Sequence, residues 1–137
     1  MATAQIQYLG ELRTTAEHVA SGEKIITDAP LDNHGKGEAF SPTDLAATSL
    51  GSCAMTIMGI VADRDGLDLT GTEVEVTKMM STDTPRRIVG IDLIFRMKTN
   101  RPLSDVEQKK YESAAHACPV AQSLHPDIIQ GFTFHWA

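Results

Sequence analysis

The chain has 137 residues, 12 Lys+Arg against 18 Asp+Glu, and a net charge of −6. That length fits a single domain over residues 1–137 with its own core, and the acidic balance lacks the footprint of a nucleic-acid binder. No uninterrupted apolar run approaches the length of a membrane span, and an acidic surface is repelled by anionic lipid. The start, Met1-Ala2-Thr3-Ala4-Gln5, has no basic region leading into an apolar stretch, so no signal peptide is expected. The expectation is a cytoplasmic protein with neither nucleic-acid nor membrane partners. The chain has two cysteines, Cys53 and Cys118. Two are too few for a disulfide scaffold or a cysteine-only zinc site, and in a reducing compartment a free pair points to redox chemistry.

Residues 4–9 and 11–20 read as two short strands around a Leu9-Gly10-Glu11 turn, with a weak period of two in the second. Lys24–Thr27 reads as a third strand, stopped by Asp28-Ala29-Pro30, and residues 32–37 read as a loop. Ser41-Pro42-Thr43-Asp44 carries an S-x-x-D capping box with proline at the first helical position. The helix it opens is expected to reach about Asp65 and stop at Gly66. It is apolar on most sides before residue 62. That predicts a central, buried helix with Cys53 on a face with Ala46, Leu50, Ile57 and Ile60. The small residues from 46 to 54 invite close approach by another helix.

Residues 72–80 and 87–98 alternate as an antiparallel hairpin turning at Asp83-Thr84-Pro85, with Val89, Ile91, Leu93, Phe95 and Met97 on one face. Ser104-Asp105-Val106-Glu107 is a second capping box, opening a helix to about residue 117. Pro119 starts a short helix to about residue 124. A last strand places Ile128, Phe132, Phe134 and Trp136 on one face. The order is α+β: a mostly antiparallel sheet with a long central helix and a second helical segment.

Cys118 falls at the N-cap of the short helix, where backbone N–H groups favour a thiolate. The plain alternative is a small residue filling a helix junction. Cys53 is mid-helix in apolar surroundings, which oppose ionisation. A nucleophile there needs a nearby cation, and the plain alternative is a core cysteine. Both lie on helices expected to pack against the same sheet, 65 residues apart in sequence.

Phe40-Ser41-Pro42-Thr43-Asp44-Leu45-Ala46-Ala47-Thr48-Ser49-Leu50-Gly51-Ser52-Cys53 resembles the first-cysteine helix of the OsmC/Ohr family. His116-Ala117-Cys118-Pro119-Val120, with Ser123-Leu124, resembles its second-cysteine motif. The likeness covers almost the whole chain. It implies an intertwined homodimer with two long central helices enclosed by two sheets. It also implies a thiol-dependent peroxidase reducing organic hydroperoxides, a role in oxidative stress defence. Cys53 would be the peroxidatic thiolate, Cys118 the resolving thiol, and an external dithiol the reductant. No metal, haem or flavin is expected.

The family's hydroperoxide resistance enzymes also use an Arg from the first strands and a Glu near the start of the first-cysteine helix. Arg13 is the candidate for the first. Ten residues before Cys53 stands Thr43 instead of Glu, so Asp44 or Glu38 is the candidate carboxylate. These departures resemble a general OsmC-like branch.

His116, Cys118 and Cys53 with His34 or His125 supply four donors in number, but their spacing matches no usual zinc pattern. His116 is expected to pack in its helix or hydrogen-bond near Cys118. Met55, Met58, Leu50 and Ile57 are candidates for lining a site for a lipophilic peroxide, with core or dimer interface as the plain reading. Two further readings stand beside the enzyme. One is a binding module for a small apolar molecule; the other is a redox sensor whose disulfide alters dimer contacts.

Overall fold

The computed structural model describes residues 1–137. The strands are β1 (Ala4–Gly10), β2 (Arg13–His18), β3 (Lys24–Asp28), β4 (Glu73–Met80), β5 (Ile88–Arg96) and β6 (Ile129–His135). The helices are α1 (Pro42–Arg64), α2 (Asp105–His116) and α3 (Pro119–Ser123), with a single 3-10 turn at Leu31–Asn33. The chain forms two compact units, Met1–Ala46 and Ala47–Ala137. The α+β class stands, but its strands form two three-stranded sheets, ordered β1-β2-β3 and β4-β5-β6.

The N-terminal unit is an antiparallel meander. Its β1–β2 register runs from Ala4↔His18 to Tyr8↔Thr14 and then shifts before Gly10↔Arg13. The turn sits one residue later than expected, because Gly10, Glu11 and Leu12 all take left-handed backbone (φ 85°, 53° and 62°). Two consecutive left-handed residues, Glu11 and Leu12, break the extended run, so β2 begins at Arg13 and not at Glu11. Three hydrogen bonds or ion pairs fix this turn. Leu12 N–H donates to Tyr8 Oη (3.2 Å), Ala29 N–H to the Leu12 carbonyl (3.1 Å), and Lys36 Nζ pairs with Glu11 (2.7 Å).

The antiparallel register places Ile6, Ala16 and Ile25 side by side, with Tyr8 and Thr14 next along the same face. Gln5, Gln7, Glu17 and Lys24 lie on the opposite face. The apolar face is open: Ile6 is 71%, Tyr8 63% and Ile25 51% exposed.

The capping box at the start of α1 forms as read. Asp44 N–H donates to Ser41 Oγ (3.1 Å), and Ser41 N–H donates to the Asp44 carboxylate (3.0 Å). At the far end Leu67 N–H reaches the Ala62 carbonyl (2.8 Å) and Gly66 N–H the Asp63 carbonyl (3.3 Å). Gly66 is left-handed (φ 69°). This is a Schellman stop.

The helix buries one stripe, Ala47, Leu50, Gly51, Ala54, Met58 and Ala62. Cys53 and Ile57 are only half-buried and Ile60 is exposed. The face expected to surround Cys53 is therefore rotated from the buried one, and Cys53 sits at its margin. What closes on the small residues is a sheet: a Cβ on Gly51 would stand 3.1 Å from Val76 Cγ2 and 3.4 Å from Leu93 Cδ2. Helix α1 also corrects the expectation about membrane-length segments. An 18-residue stretch within its 23 residues has a mean hydropathy of 1.7, so it is long and apolar enough to span a bilayer by length and composition. Its interspersed Thr, Ser and Gly broke the apolar run in sequence without lowering the mean enough. Here its apolar stripe belongs to the core of the C-terminal unit.

That unit is built around Leu50, Met58, Ile91, Leu93, Phe95 and Tyr111, all almost fully buried. Strands β4 and β5 form the antiparallel hairpin, with Val74↔Phe95 and Val76↔Leu93 opposed. Strand β6 instead runs parallel to β5, pairing Leu93↔Phe132 and Phe95↔Phe134. A parallel pair needs a long crossover, and residues 97–128 supply it with α2 and α3. The even-numbered face of β6 packs as expected: the Phe95 and Phe134 rings stack at 4.5 Å. Tyr111 Oη donates to Asp65 (2.6 Å) and Trp136 Nε1 to Glu112 (2.8 Å), fixing α2 to the end of α1 and to the C-terminal strand.

Candidate functional site

Two groups of chemistry-bearing side chains form, one in each unit. In the C-terminal unit, Cys118 caps α3, with Pro119 at the first helical position. Its Sγ accepts from Ala121 N–H at 3.4 Å. The chain must leave α2 before a proline, and Ala117 and Cys118 make that corner. Cys118 is completely buried. Cys53 comes from the middle of α1, is half-buried, and interacts directly with the Cys118 thiol. Both are free cysteines.

The expectation of an acidic Cys118 is overturned. Burial pushes its pKa up, and the neighbouring Cys53 adds to the rise; the Ala121 N–H works in the opposite direction but is outweighed. A helix start helps a thiolate only where solvent or a cation shares the charge. Helix α3 has only five residues, and its start is sealed in an apolar core. Cys118 is thus held as a neutral thiol.

In the N-terminal unit, Arg13 stands directly across the β2–β3 ladder from Asp28. Its Nε donates to Asp28 Oδ1 (2.6 Å) and its Nη2 to Oδ2 (2.8 Å), a two-pronged fork. Nη2 also reaches Glu38 Oε1 (3.3 Å). Glu38 N–H donates to Asp28 Oδ2 (3.1 Å), and Asp28 N–H to the Phe40 carbonyl (3.1 Å). Asp28 is 1% exposed, and the Arg13 hydrogen bond holds its carboxyl below the usual carboxylate range. The same bond raises the Arg13 guanidinium further above its already high pKa.

Of the two candidate carboxylates, Glu38 is paired with Arg13, while Asp44 is committed to the α1 cap. Asp28 was read only as a strand terminator. Its signal was available: pairing the strands around the 19–23 turn sets it opposite Arg13.

The histidines do not gather. The His116 ring lies 4.2 Å from that of Phe132, and His125 Nδ1 accepts from Asp127 N–H (3.0 Å). No three His, Cys, Asp or Glu side chains converge as metal ligands. A shallow groove of about 330 Å³ runs beside α1, lined by Thr48, Gly51, Ser52, Met55, Thr56, Val74 and Val76. Of the four residues expected to line an apolar site, it includes Met55; Leu50 and Met58 are core.

Comparison with known proteins agrees with this architecture. A protein from Psychrobacter arcticus 273-4, assigned to the osmotic stress induced and detoxification response, is 51% identical. The match covers 98% of this chain and 96% of that one, with a TM-score of 0.93. The OsmC-like protein of Mycoplasma pneumoniae shares the fold at 16% identity and TM-score 0.80, covering 98% and 95% of the two chains. The organic hydroperoxide resistance protein OhrB of Bacillus subtilis does so at 17% identity and TM-score 0.67, covering 98% of each. Among curated proteins none matches. The family model described as OsmC-like protein matches residues 35–130, a stretch holding both cysteines and everything from Gly35 to the start of β6. With most of its length matched in this way and its two thiols set together, the chain belongs to the OsmC-like protein family.

Proposed function

We propose that the protein is a cysteine-based peroxidase that reduces organic hydroperoxides in oxidative stress defence. The observation that carries this reading is the thiol pair: a half-exposed Cys53 in direct interaction with a buried, neutral Cys118. The Cys53 thiolate attacks the outer oxygen of the O–O bond. The bond breaks, the alcohol leaves with a proton, and Cys53 becomes a sulfenic acid. The Cys118 thiol then displaces hydroxide, which leaves as water with the thiol's proton, and a Cys53–Cys118 disulfide forms. An external dithiol reduces that disulfide and is itself oxidised. The proposed cycle needs no metal, haem or flavin, and a cytoplasmic location supplies its reductant. Arg13, with Glu38, is assigned to stabilising the Cys53 thiolate, following the family pattern.

A homodimer belongs to the same proposal. The open Ile6–Tyr8–Ile25 face and the uncovered side of α1 at Ile60 are apolar surface that a second copy would cover.

The test is peroxide consumption by the reduced protein with cumene hydroperoxide and a dithiol. Cys53→Ser is expected to abolish turnover. Cys118→Ser is expected to permit one oxidation and then accumulate sulfenic or sulfinic Cys53 by mass spectrometry. Unchanged consumption by Cys53→Ser sinks the mechanism. The groove beside α1 favours a second reading, a binding module for a small apolar molecule. Saturable binding of such a molecule with no peroxide turnover would select it.

A further inference from the structure

We propose that Gln130 is a positioning residue for the resolving thiol: through Ala121 it holds α3, and with it Cys118, in line for Cys53. This rests on the reading of Cys53 and Cys118 as a peroxidatic and resolving pair, and it adds a residue that lies outside both cysteine motifs.

Three observations carry it. Ala121 is bonded at both ends: its N–H donates to Cys118 Sγ (3.4 Å), and its carbonyl accepts from Gln130 Nε2 (3.0 Å). Ala121 thus couples β6 to the thiol. Gln130 is also a polar side chain on the face of β6 that carries Phe132 and Phe134, both stacked on Phe95. An apolar residue would suit that face; what the amide adds is a donor. Finally, α3 has five residues and ends at Ser123, two short of the N–H that would take the Ala121 carbonyl. A helix this short does not hold itself. Val120, Ala121 and Leu124 pack on the core, but apolar packing has no direction. The Gln130 bond supplies direction, and Gln122 Nε2 on the His116 carbonyl (3.2 Å) ties the same turn to the end of α2.

The step that needs this alignment is the second one. Cys118 Sγ must reach the Cys53 sulfur opposite the S–O bond that breaks, as hydroxide leaves and takes the thiol's proton to form water. The first step, attack on peroxide by Cys53, makes no demand on α3.

Rapid mixing, acid quench and mass spectrometry separate the two steps. Gln130→Met keeps the side chain's length and removes the donor. With cumene hydroperoxide it is expected to oxidise Cys53 at the unaltered rate. Its Cys53–Cys118 disulfide is expected to form about tenfold more slowly, with more sulfinic Cys53 in excess peroxide. With diamide, which takes both thiol hydrogens onto its N=N bond, disulfide closure is expected to slow in the same variant. Gln130→Glu covers the case in which Gln130→Met fails to fold: ionised it has no donor, and protonated its O–H can replace the amide. Its closure rate relative to the unaltered chain is expected to be low near about pH 8 and to recover toward about pH 5. Unchanged closure in both variants, or equal slowing of both peroxide steps, overturns the positioning role and leaves the peroxidase reading intact. Gln130-dependent closure by diamide, with no Cys53 oxidation by peroxide, sinks the peroxidase reading while the coupling of Gln130 to the thiol pair stands.

Discussion

The two units are built on opposite principles. The C-terminal unit hides apolar side chains: Leu50, Met58, Ile91, Leu93 and Phe95 are buried together, and even its cysteine Cys118 is part of that core. The N-terminal unit does the reverse. Its most buried side chains are the polar Thr27, Asp28 and Ser41, while Ile6, Tyr8 and Ile25 face outward. One unit is held by the hydrophobic effect, which is indifferent to direction. The other is held by hydrogen bonds and an ion pair, which are directional and specify a geometry. The difference bears on chemistry. A dry core is a good place to keep a thiol neutral, and a fixed charge pair is a good place to aim a cation.

The comparison is open to attack at several points. The largest effect on folding is expected from Phe95→Ala, which removes the ring stacked on Phe134 and should cost about 3–5 kcal/mol. Urea denaturation measures it; a loss below 1 kcal/mol would mean the C-terminal core is not what holds that unit.

Next comes Tyr111→Phe, which deletes the hydroxyl bonded to Asp65 and should cost about 1–2 kcal/mol. Burial pushes the Tyr111 hydroxyl from its usual 10.0 to about 12. Its folded form therefore holds the proton more tightly than the unfolded chain. That contribution is complete below pH 10 and is lost as pH rises toward 12. Thermal melts from pH 9 to 12 should fall less steeply in Tyr111→Phe than in the unaltered chain.

The N-terminal unit should fail at the other end of the scale. The Asp28 carboxyl titrates below its ordinary 3.8, chiefly through Arg13. Its contribution is present above that value and disappears as pH falls through the lowered one. Hydrogen exchange of β2 and β3 amides below pH 4 should accelerate in the unaltered chain, with a flatter response in Asp28→Asn. Equal acid response in both would remove Asp28 as the organising charge. Smallest for the folding of one chain is Ile6→Glu, expected to stay within about 0.5 kcal/mol because the side chain is exposed. Its consequence should appear in light scattering instead, as dissociation of the proposed dimer. An unaltered chain that is already monomeric at micromolar concentration would end that proposal.

Much of this architecture was legible from local signals. Both capping boxes, at Ser41 and Ser104, formed, and Gly66 ended α1 within a residue of the expected place. The alternation through Ile91, Leu93, Phe95 and Met97 identified the buried face of β5. Three features escaped. Helix α1 was too uniformly apolar for its sequence to say which stripe the sheet would cover, so Cys53, expected to be central in the buried face, lies at its margin instead. The direction of β6 depends on a crossover, which periodicity does not encode. The Leu12 turn was displaced because nothing local favours a left-handed leucine; contacts from Tyr8 and Ala29 impose it.

The sequence by itself determined the elements, the position of Cys118 at a helix start, the two cysteine motifs and the candidacy of Arg13. These rest on interactions within a few residues, or on motifs that survive as linear text. Only the tertiary structure decided that Cys53 meets Cys118, that burial outweighs the helix start in setting the Cys118 proton affinity, and that Asp28 and Glu38 converge on Arg13. Each is a balance between charge and solvent. Solvent exclusion is a property of the packed unit, set by residues far apart in the chain.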